Sequence, residues 1–318
     1  MEPRKTDPTG VAIRSLTADD LAAVVALDRK ITGTSRRDYF EKRLAAAIRH
    51  PSRHLQLAAT GPSGMIGFLL ARTALGEYGR VGTAGVLETV GVDPGAQGTG
   101  IGRAMMAGLE DRLRARDVGS IVTQADWRNY GMLRFLHGAG FSLAPRQILA
   151  REVHRMPLPG TDEEIEQTPP LVRHLRATDL EMIQRIDRRL TDQDRSVYLR
   201  AKLDEVLEES AIAVSLVVED DGFVVGFAMV RVDFGDFGHV QPSAALDTIG
   251  VDPGFAHKGF ARALLTQMID NLSAIHVESL ETEVSRTSFE LLRFLYRFGF
   301  SPSQRLAFER RLPPKKAG

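Results

Sequence analysis

The strongest constraint on this chain is that it repeats itself at a fixed offset of 159 residues. Ile13-Arg14-Ser15-Leu16 returns as Val172-Arg173-His174-Leu175, and Thr89-Val90-Gly91-Val92-Asp93-Pro94-Gly95 returns as Thr248-Ile249-Gly250-Val251-Asp252-Pro253-Gly254. The same shift carries Leu133-Arg134-Phe135-Leu136 onto Leu292-Arg293-Phe294-Leu295, and Gly140-Phe141-Ser142 onto Gly299-Phe300-Ser301. A register held without a gap over so many separated segments requires both halves to adopt one fold. Domains are expected at 1–157 and 171–318. Residues 158–170, rich in proline and acidic side chains, read as an extended linker.

Composition narrows the class. With 318 residues the chain can hold two cores, and its 43% hydrophobic and 26% charged content is that of a soluble globular protein. Lys+Arg 41 balance Asp+Glu 41, so there is no general pull toward nucleic acid or anionic membranes, and neither is an expected partner. The absence of cysteine excludes a disulfide framework, a thiolate zinc site and a cysteine nucleophile, and no metal is expected. The stretch Met1-Glu2-Pro3-Arg4-Lys5-Thr6-Asp7 lacks a signal-peptide core. The longest apolar runs, near Leu21 to Leu27 and Ala211 to Val218, are far too short to span a membrane. A cytoplasmic protein is expected.

Periodicity gives the order of elements in each half. Val11 to Leu16 reads as a strand, after which Thr17 caps a helix whose apolar positions Leu21, Val24, Val25 and Leu27 recur at helical spacing. A second helix covers Arg36 to Ile48. Leu55 to Thr60 and Met65 to Ala74 flank the turn Gly61-Pro62-Ser63-Gly64, and Val86 to Val92 forms the next strand. A helix from Gly98 to about Arg116, a strand at Ser120 to Gln124 and a helix from Asn129 to His137 follow. Phe141 to Glu152 should close the first half. Arg36-Arg37 and Arg112 to Arg116 read as solvated helix faces. His50 and His54 read as loop residues, since Pro51 breaks any helix between them.

The segment with most chemical content runs from Glu88 to Arg103. A strand ends at Val92, Asp93-Pro94-Gly95 turns the chain, and Gly98, Gly100 and Gly102 open a helix. The first amides of a helix lack intrahelical partners and lie at the positive end of its dipole, so they bind phosphate oxygens. A side chain at Gly100 or Gly102 is expected to stand between those amides and a pyrophosphate. No Gly-Lys-Ser/Thr is present here, which excludes a Walker loop. The spacing GxGxG after an intervening turn departs from the dinucleotide fingerprint GxGxxG.

The segment resembles the acetyl-CoA loop of the Gcn5-related N-acetyltransferase (GNAT) superfamily, Q/R-x-x-G-x-G/A, with Gln97, Gly100 and Gly102 in place and Val92-x-Pro94 as the lead-in. The following helix resembles the family's N-x-x-A-x-x-x-Y-x-x-x-G-F through Asn129 and Gly140-Phe141, with Leu136 where the tyrosine usually stands. The resemblance implies an α/β fold of two tandem GNAT domains, each a mixed, mostly antiparallel sheet flanked by helices. It implies acetyl-CoA as co-substrate, met by the backbone of Val90 and Val92 and by Gln97, Gly98, Thr99, Gly100, Ile101, Gly102, Arg103 and Asn129. It further implies an amine acceptor that attacks the thioester directly, with a backbone amide stabilising the developing oxyanion.

Such an amine, with pKa near 10, is roughly 99.9% protonated at pH 7, a cost of about 4 kcal/mol that a carboxylate base can offset. Glu88 is the candidate base, with Asp247 as its counterpart, and a bulge in its strand would change the face on which it points. With Leu136 in the tyrosine place, Tyr130 or His137 could act as the acid, or solvent could protonate the thiolate. Trp127 could line an acceptor pocket. In the second half Ala256 replaces Gln97, Gly259 and Ala261 replace Gly100 and Gly102, and Ser288 replaces Asn129. The first half is therefore the expected working site and the second a degenerate or substrate-shaping partner, the chain being a monomer that imitates a dimer or a homodimer. A non-enzymatic acyl-CoA sensor is the alternative.

Overall fold

The computed structural model describes residues 11–80, 82–154, 170–209, 214–233, 237 and 243–313. In the first half β1 (Ala12–Ser15) leads through α1 (Leu21–Thr32) and α2 (Arg37–Arg49) into β2 (His54–Gly61), β3 (Gly64–Leu75) and β4 (Thr83–Val92). Next come α3 (Ile101–Arg114), β5 (Ser120–Asp126), α4 (Tyr130–Gly138), β6 (Ser142–Leu143) and β7 (Arg146–Glu152). The second half begins with β8 (Leu171–His174), α5 (Leu180–Thr191), α6 (Ser196–Glu209), β9 (Leu216–Asp220), β10 (Phe223–Asp233) and β11 (Ser243–Val251). It ends with α7 (Phe260–Ala274), β12 (Ser279–Ser285), α8 (Phe289–Arg297), β13 (Ser301–Pro302) and β14 (Arg305–Arg311). Of the expected linker 158–170, only Pro170 lies within the described residues.

Alternation and helical spacing explain the packing. Leu55, Leu57 and Ala59 alternate along β2 and pack with Ile101, Met105, Leu109 and Leu113, one stripe of α3. On the opposite face Phe68 and Leu70 of β3 meet Val24 and Leu27 of α1 and Phe40 of α2. Each half thus has helices on both faces of a mixed sheet, in which, among the described residues, β4–β5 and β11–β12 pair in parallel and the other strand pairs are antiparallel.

The sheets exchange their last strands. One has the order β1-β2-β3-β4-β5-β14-β6 and the other β13-β7-β12-β11-β10-β9-β8. β14 pairs with β5 from Arg305↔Asp126 to Arg311↔Ser120, and β7 pairs with β12 from Arg146↔Ser285 to Glu152↔Ser279. Phe308 and Leu312 are buried in the first half's core, and Leu149 and Val153 in the second's. The segment Phe141 to Glu152, expected to close its own half, therefore leaves only β6 there. Its longer strand closes the other sheet.

Two side-chain placements correct the sequence reading. Arg36 is not on a solvated face: it is buried, its Nε donates to Asp28 at 3.0 Å, and it lies over the Tyr39 and Phe40 rings. Asp28 is one helical turn from Thr32, and both sit where the α1–α2 connection folds back, so burial of the pair fixes that corner. His54 is the first residue of β2, pairing with Arg72, so it is a strand residue, while His50 ends α2.

The feature that positions the site is the divergence of β4 from β5. They pair only at Gly85↔Ile121 and Val86↔Val122 before splaying apart, and the Thr123 hydroxyl crosses the split to donate to the Leu87 carbonyl at 2.8 Å. On its other edge β4 stays bonded to β3, with a bulge: Leu70 pairs with Thr89 and Ala71 with Leu87, leaving Glu88 as the extra residue. The second half repeats both devices. Thr282 bonds Leu246 at 2.8 Å, and Asp247 is the bulged residue between Leu246 and Thr248.

Candidate active site

At the open end of the split, β4 runs into the glycine loop. The Asp93 carboxylate accepts from the Gly95 amide at 2.9 Å and from Lys30, which fixes the turn, and the Gln97 side-chain amide donates back to the Val92 carbonyl at 3.2 Å. Gly98 and Gly100 both have positive φ, +80° and +94°, and Gly100 caps α3. The first bond of the helical ladder is Ala104 N–H to Gly100 C=O at 2.9 Å. The amides of Ile101, Gly102 and Arg103 therefore precede the ladder, at the positive end of the helix.

These amides open onto a cleft of about 750 Å³. Val90, Val92, Gln97, Gly98, Gly100 and Ile101 form one wall, and Gly102, Arg103 and Asn129 complete the predicted residues it gathers. Thr99 is not among them: its hydroxyl is turned back onto the Ala96 carbonyl at 2.7 Å. The Asn129 side chain caps α4 by accepting from the Met132 amide at 3.0 Å. Gly102 needs its hydrogen for a different reason from the one expected. A Cβ there would approach Phe135 of α4 to 2.8 Å, so this glycine lets two helices meet, whereas a Cβ on Gly100 would have open space around it.

Sequence reasoning missed the opposite wall. Gly131, Arg134, Phe135 and Gly138 line the cleft from one face of α4, with Ala139 beyond it and Ile31 of α1 at the far side. Their spacing of three and four residues was the available signal. Arg103 and Arg134 are exposed, and neither guanidinium makes an ion pair among the described residues. Two unengaged guanidinium groups beside helix-opening amides suit a polyanionic ligand.

The second half differs where the cleft needs room. Ala96 becomes Phe255, Gly98 becomes His257, Gly131 becomes Glu290, Gly138 becomes Arg297 and Ala139 becomes Phe298. Phe255 packs edge-on to Phe260, the Lys258 ammonium lies 5.0 Å from the Phe255 ring centre, and Phe298 stacks on Phe294. Larger side chains thus stand at five positions that the first half keeps small.

The candidate catalytic residues lie elsewhere. Tyr130 is 65% exposed and does not line the cleft, and Leu136 is buried in the core. Glu88 is only 2% exposed, and Oε1 accepts from Arg72 Nε at 2.8 Å with Arg43 at 3.5 Å. It too does not line the cleft, and among the described residues no carboxylate and no tyrosine does. Trp127, half-exposed, donates through its indole N–H to Gln304 of the second half, and its backbone N–H bonds the Gln304 carbonyl at 3.0 Å.

Glu88 belongs to an ion-pair chain that crosses between the halves. Arg72 continues to Glu77 at 2.6 Å, Glu77 to Lys202 at 3.3 Å, and Lys202 to Asp247 at 2.8 Å, so the two bulge carboxylates are joined. Burial would raise the Glu77 carboxyl, but Arg72 and Lys202 hold it well below the usual carboxylate range. Burial leaves Asp247 above its ordinary value despite Lys202, whereas Lys202 itself is held above the usual ammonium range by its three carboxylates, which outweigh burial. Replacing Lys202 by methionine would leave Glu77 with Arg72 and the buried Asp247 with Arg231, 4.0 Å away, so Asp247 loses its close counter-ion. Stability should fall by about 3 kcal/mol, read from the denaturant midpoint, and K202R should recover most of it.

A GNAT domain is what this geometry defines: a split between parallel strands, headed by a glycine-opened helix. The Acetyltransferase (GNAT) family profile matches residues 21–141 and again 179–300, and the chain belongs to that family. No curated protein sequence matches it. Among solved structures it is similar to the GCN5-related N-acetyltransferase of Sphaerobacter thermophilus, at 17% identity and TM-score 0.63, covering 97% of this chain and 98% of that one. It is similar to a tandem GNAT protein from the clavulanic acid biosynthesis pathway, at 14% identity and TM-score 0.63, covering 96% and 100%. It is also similar to the GCN5-related N-acetyltransferase of Kribbella flavida, at 17% identity and TM-score 0.54, covering 95% and 71%. At these identities the likeness concerns the fold. Among the described residues no helix is long and apolar enough to cross a membrane.

Proposed function

We propose that the chain is an acetyl-CoA-dependent N-acetyltransferase whose first half carries the reaction. The observation that supports this most is the juxtaposition of the unladdered amides of α3, Arg103 and Arg134 without an ion pair among the described residues, and a cleft bounded by Val90 to Val92, the part of β4 beyond its pairing with β5. The pyrophosphate would lie on the α3 amides and the pantetheine along Val90 and Val92. The thioester would then lie near the bulge, on the sheet face that Glu88 and Arg72 occupy.

The chemistry requires the acceptor nitrogen's lone pair to form the C–N bond as the C–S bond breaks. The nitrogen's proton leaves to a base, and the thiolate takes one from solvent, since no phenol lines the cleft. The pairing of Glu88 with Arg72 and Arg43 suits it to hold the bulge and to balance charge near the reacting carbon. Both guanidinium groups meet Oε1, so its use as the base would fall to Oε2.

The test is release of free thiol from acetyl-CoA across a panel of primary amines, with Glu88→Gln in parallel. Amine-dependent release by the wild type is expected. If Glu88 is the base, E88Q should lose about a hundredfold in kcat with the KM for acetyl-CoA unchanged. A purely structural role would instead lower the denaturant midpoint. Tight acetyl-CoA binding with no thiol released by any amine would support the sensor reading, which the absence of an acid or base in the cleft favours.

A further inference from the structure

A second cavity, of about 280 Å³, opens between α2 and β2 of the first half and α6 of the second. Its inner wall is the ion-pair chain itself, through Arg72, Glu77 and Lys202. Four cationic side chains line it, Arg43, Arg53, Arg72 and Lys202, against two carboxylates, Glu77 and Glu205. The inner cations are engaged: Arg72 by Glu77 and Glu88, Lys202 by Glu77, Glu205 and Asp247, and Arg43 by Glu88. Arg53 is different. It is exposed, and its guanidinium makes no hydrogen bond or ion pair among the described residues.

His54, half-buried in the wall, is pushed down to about 4, first by burial and then by Arg43 and Arg72, and Glu205 does not reverse the shift. Its ring is therefore neutral at pH 7 and adds no charge. A pocket of this size, lined by the unengaged Arg53 guanidinium with Arg43 beside it, matches a small carboxylate, which an arginine grips with two parallel hydrogen bonds.

We propose that this cavity between the halves binds a small carboxylate, held chiefly by Arg53 and then by Arg43. Because Arg43 also touches Glu88 at 3.5 Å, an anion that draws Arg43 toward the cavity loosens one of the two guanidinium groups on that carboxylate. The carboxylate has two possible sources: the amine acceptor itself or a separate small acid acting as an effector. Only the first of these rests on the acetyl-transfer reading.

The experiment compares thiol release with glycine, β-alanine, 4-aminobutyrate and 6-aminohexanoate against n-alkylamines of equal length, in the wild type and Arg53→Ala. Acetate and succinate are titrated calorimetrically into both proteins without acetyl-CoA. A preference of about tenfold in kcat/KM for one carboxylated length, lost in R53A, supports the acceptor as source. No such preference, with acetate or succinate bound by the wild type and about tenfold more weakly by R53A, supports a separate effector. Absence of both, or binding equal in R53A and wild type, overturns the proposal even if alkylamines are acetylated. Conversely, if no amine releases thiol, calorimetry still decides the cavity while acetyl transfer fails.

Discussion

Replacing Gly100 by valine should lower acetyl-CoA affinity by about a hundredfold, whereas the same change at Gly259 should cost less than about threefold. Gly100 sits at φ +94° at the head of α3, a conformation a β-branched residue adopts only under strain of a few kcal/mol. Its missing Cβ faces open space at the mouth of the cleft, so the new side chain occupies the ligand's volume as well. Gly259 has nearly the same backbone, φ +82°, but opens onto a region where Phe255, His257, Arg297 and Phe298 replace small residues. Calorimetry on both variants measures the difference. Equal losses would mean that both halves carry ligand.

Cutting the chain between residues 155 and 169 should not separate its halves. β14 is an inner strand of the first sheet, paired with β5 over seven residues and with β6 beyond, and β7 is an inner strand of the second. Removing either strand breaks a ladder and exposes core residues such as Phe308 or Leu149. A protease site inserted there and cleaved to completion should leave two fragments that co-elute at micromolar concentration, with an apparent Kd below about 1 μM. They should part only in denaturant. Residues 1–157 expressed alone should unfold at a lower denaturant midpoint than the intact chain, because β7 must then take the place of β14, checked by circular dichroism with sedimentation. Two freely separating, independently folded halves would contradict the exchange.

The repeat, the element order and the glycine loop that opens α3 were legible because each rests on local pattern: a constant offset, the helical stripe of α3, and the glycines before it. The exchange was not legible, for a physical reason. Leu149 of β7 and Val153 just after it stand at the same repeat positions as Phe308 of β14 and Leu312 just after it, so each segment presents apolar side chains that fit either sheet. Nothing local to the strand says which one it joins. The engagement of Glu88 was hidden similarly, because its partners Arg72 and Arg43 lie 16 and 45 residues away and meet it only after β3, β4 and α2 pack. Charge spacing along one helix likewise misjudges Arg36, whose counter-ion Asp28 sits on the preceding helix. The α4 wall, in contrast, could have been read from the spacing of Gly131, Arg134, Phe135 and Gly138.

Most of the account depends on a single occupied crevice per molecule, the one that α3 heads. The direct measurement is the stoichiometry of acetyl-CoA bound to the intact wild-type chain by calorimetry. One equivalent per chain is predicted, with affinity falling as salt is raised, because Arg103 and Arg134 would pair with the phosphates under the proposed binding mode. No binding at all, or two equivalents per chain, would contradict it.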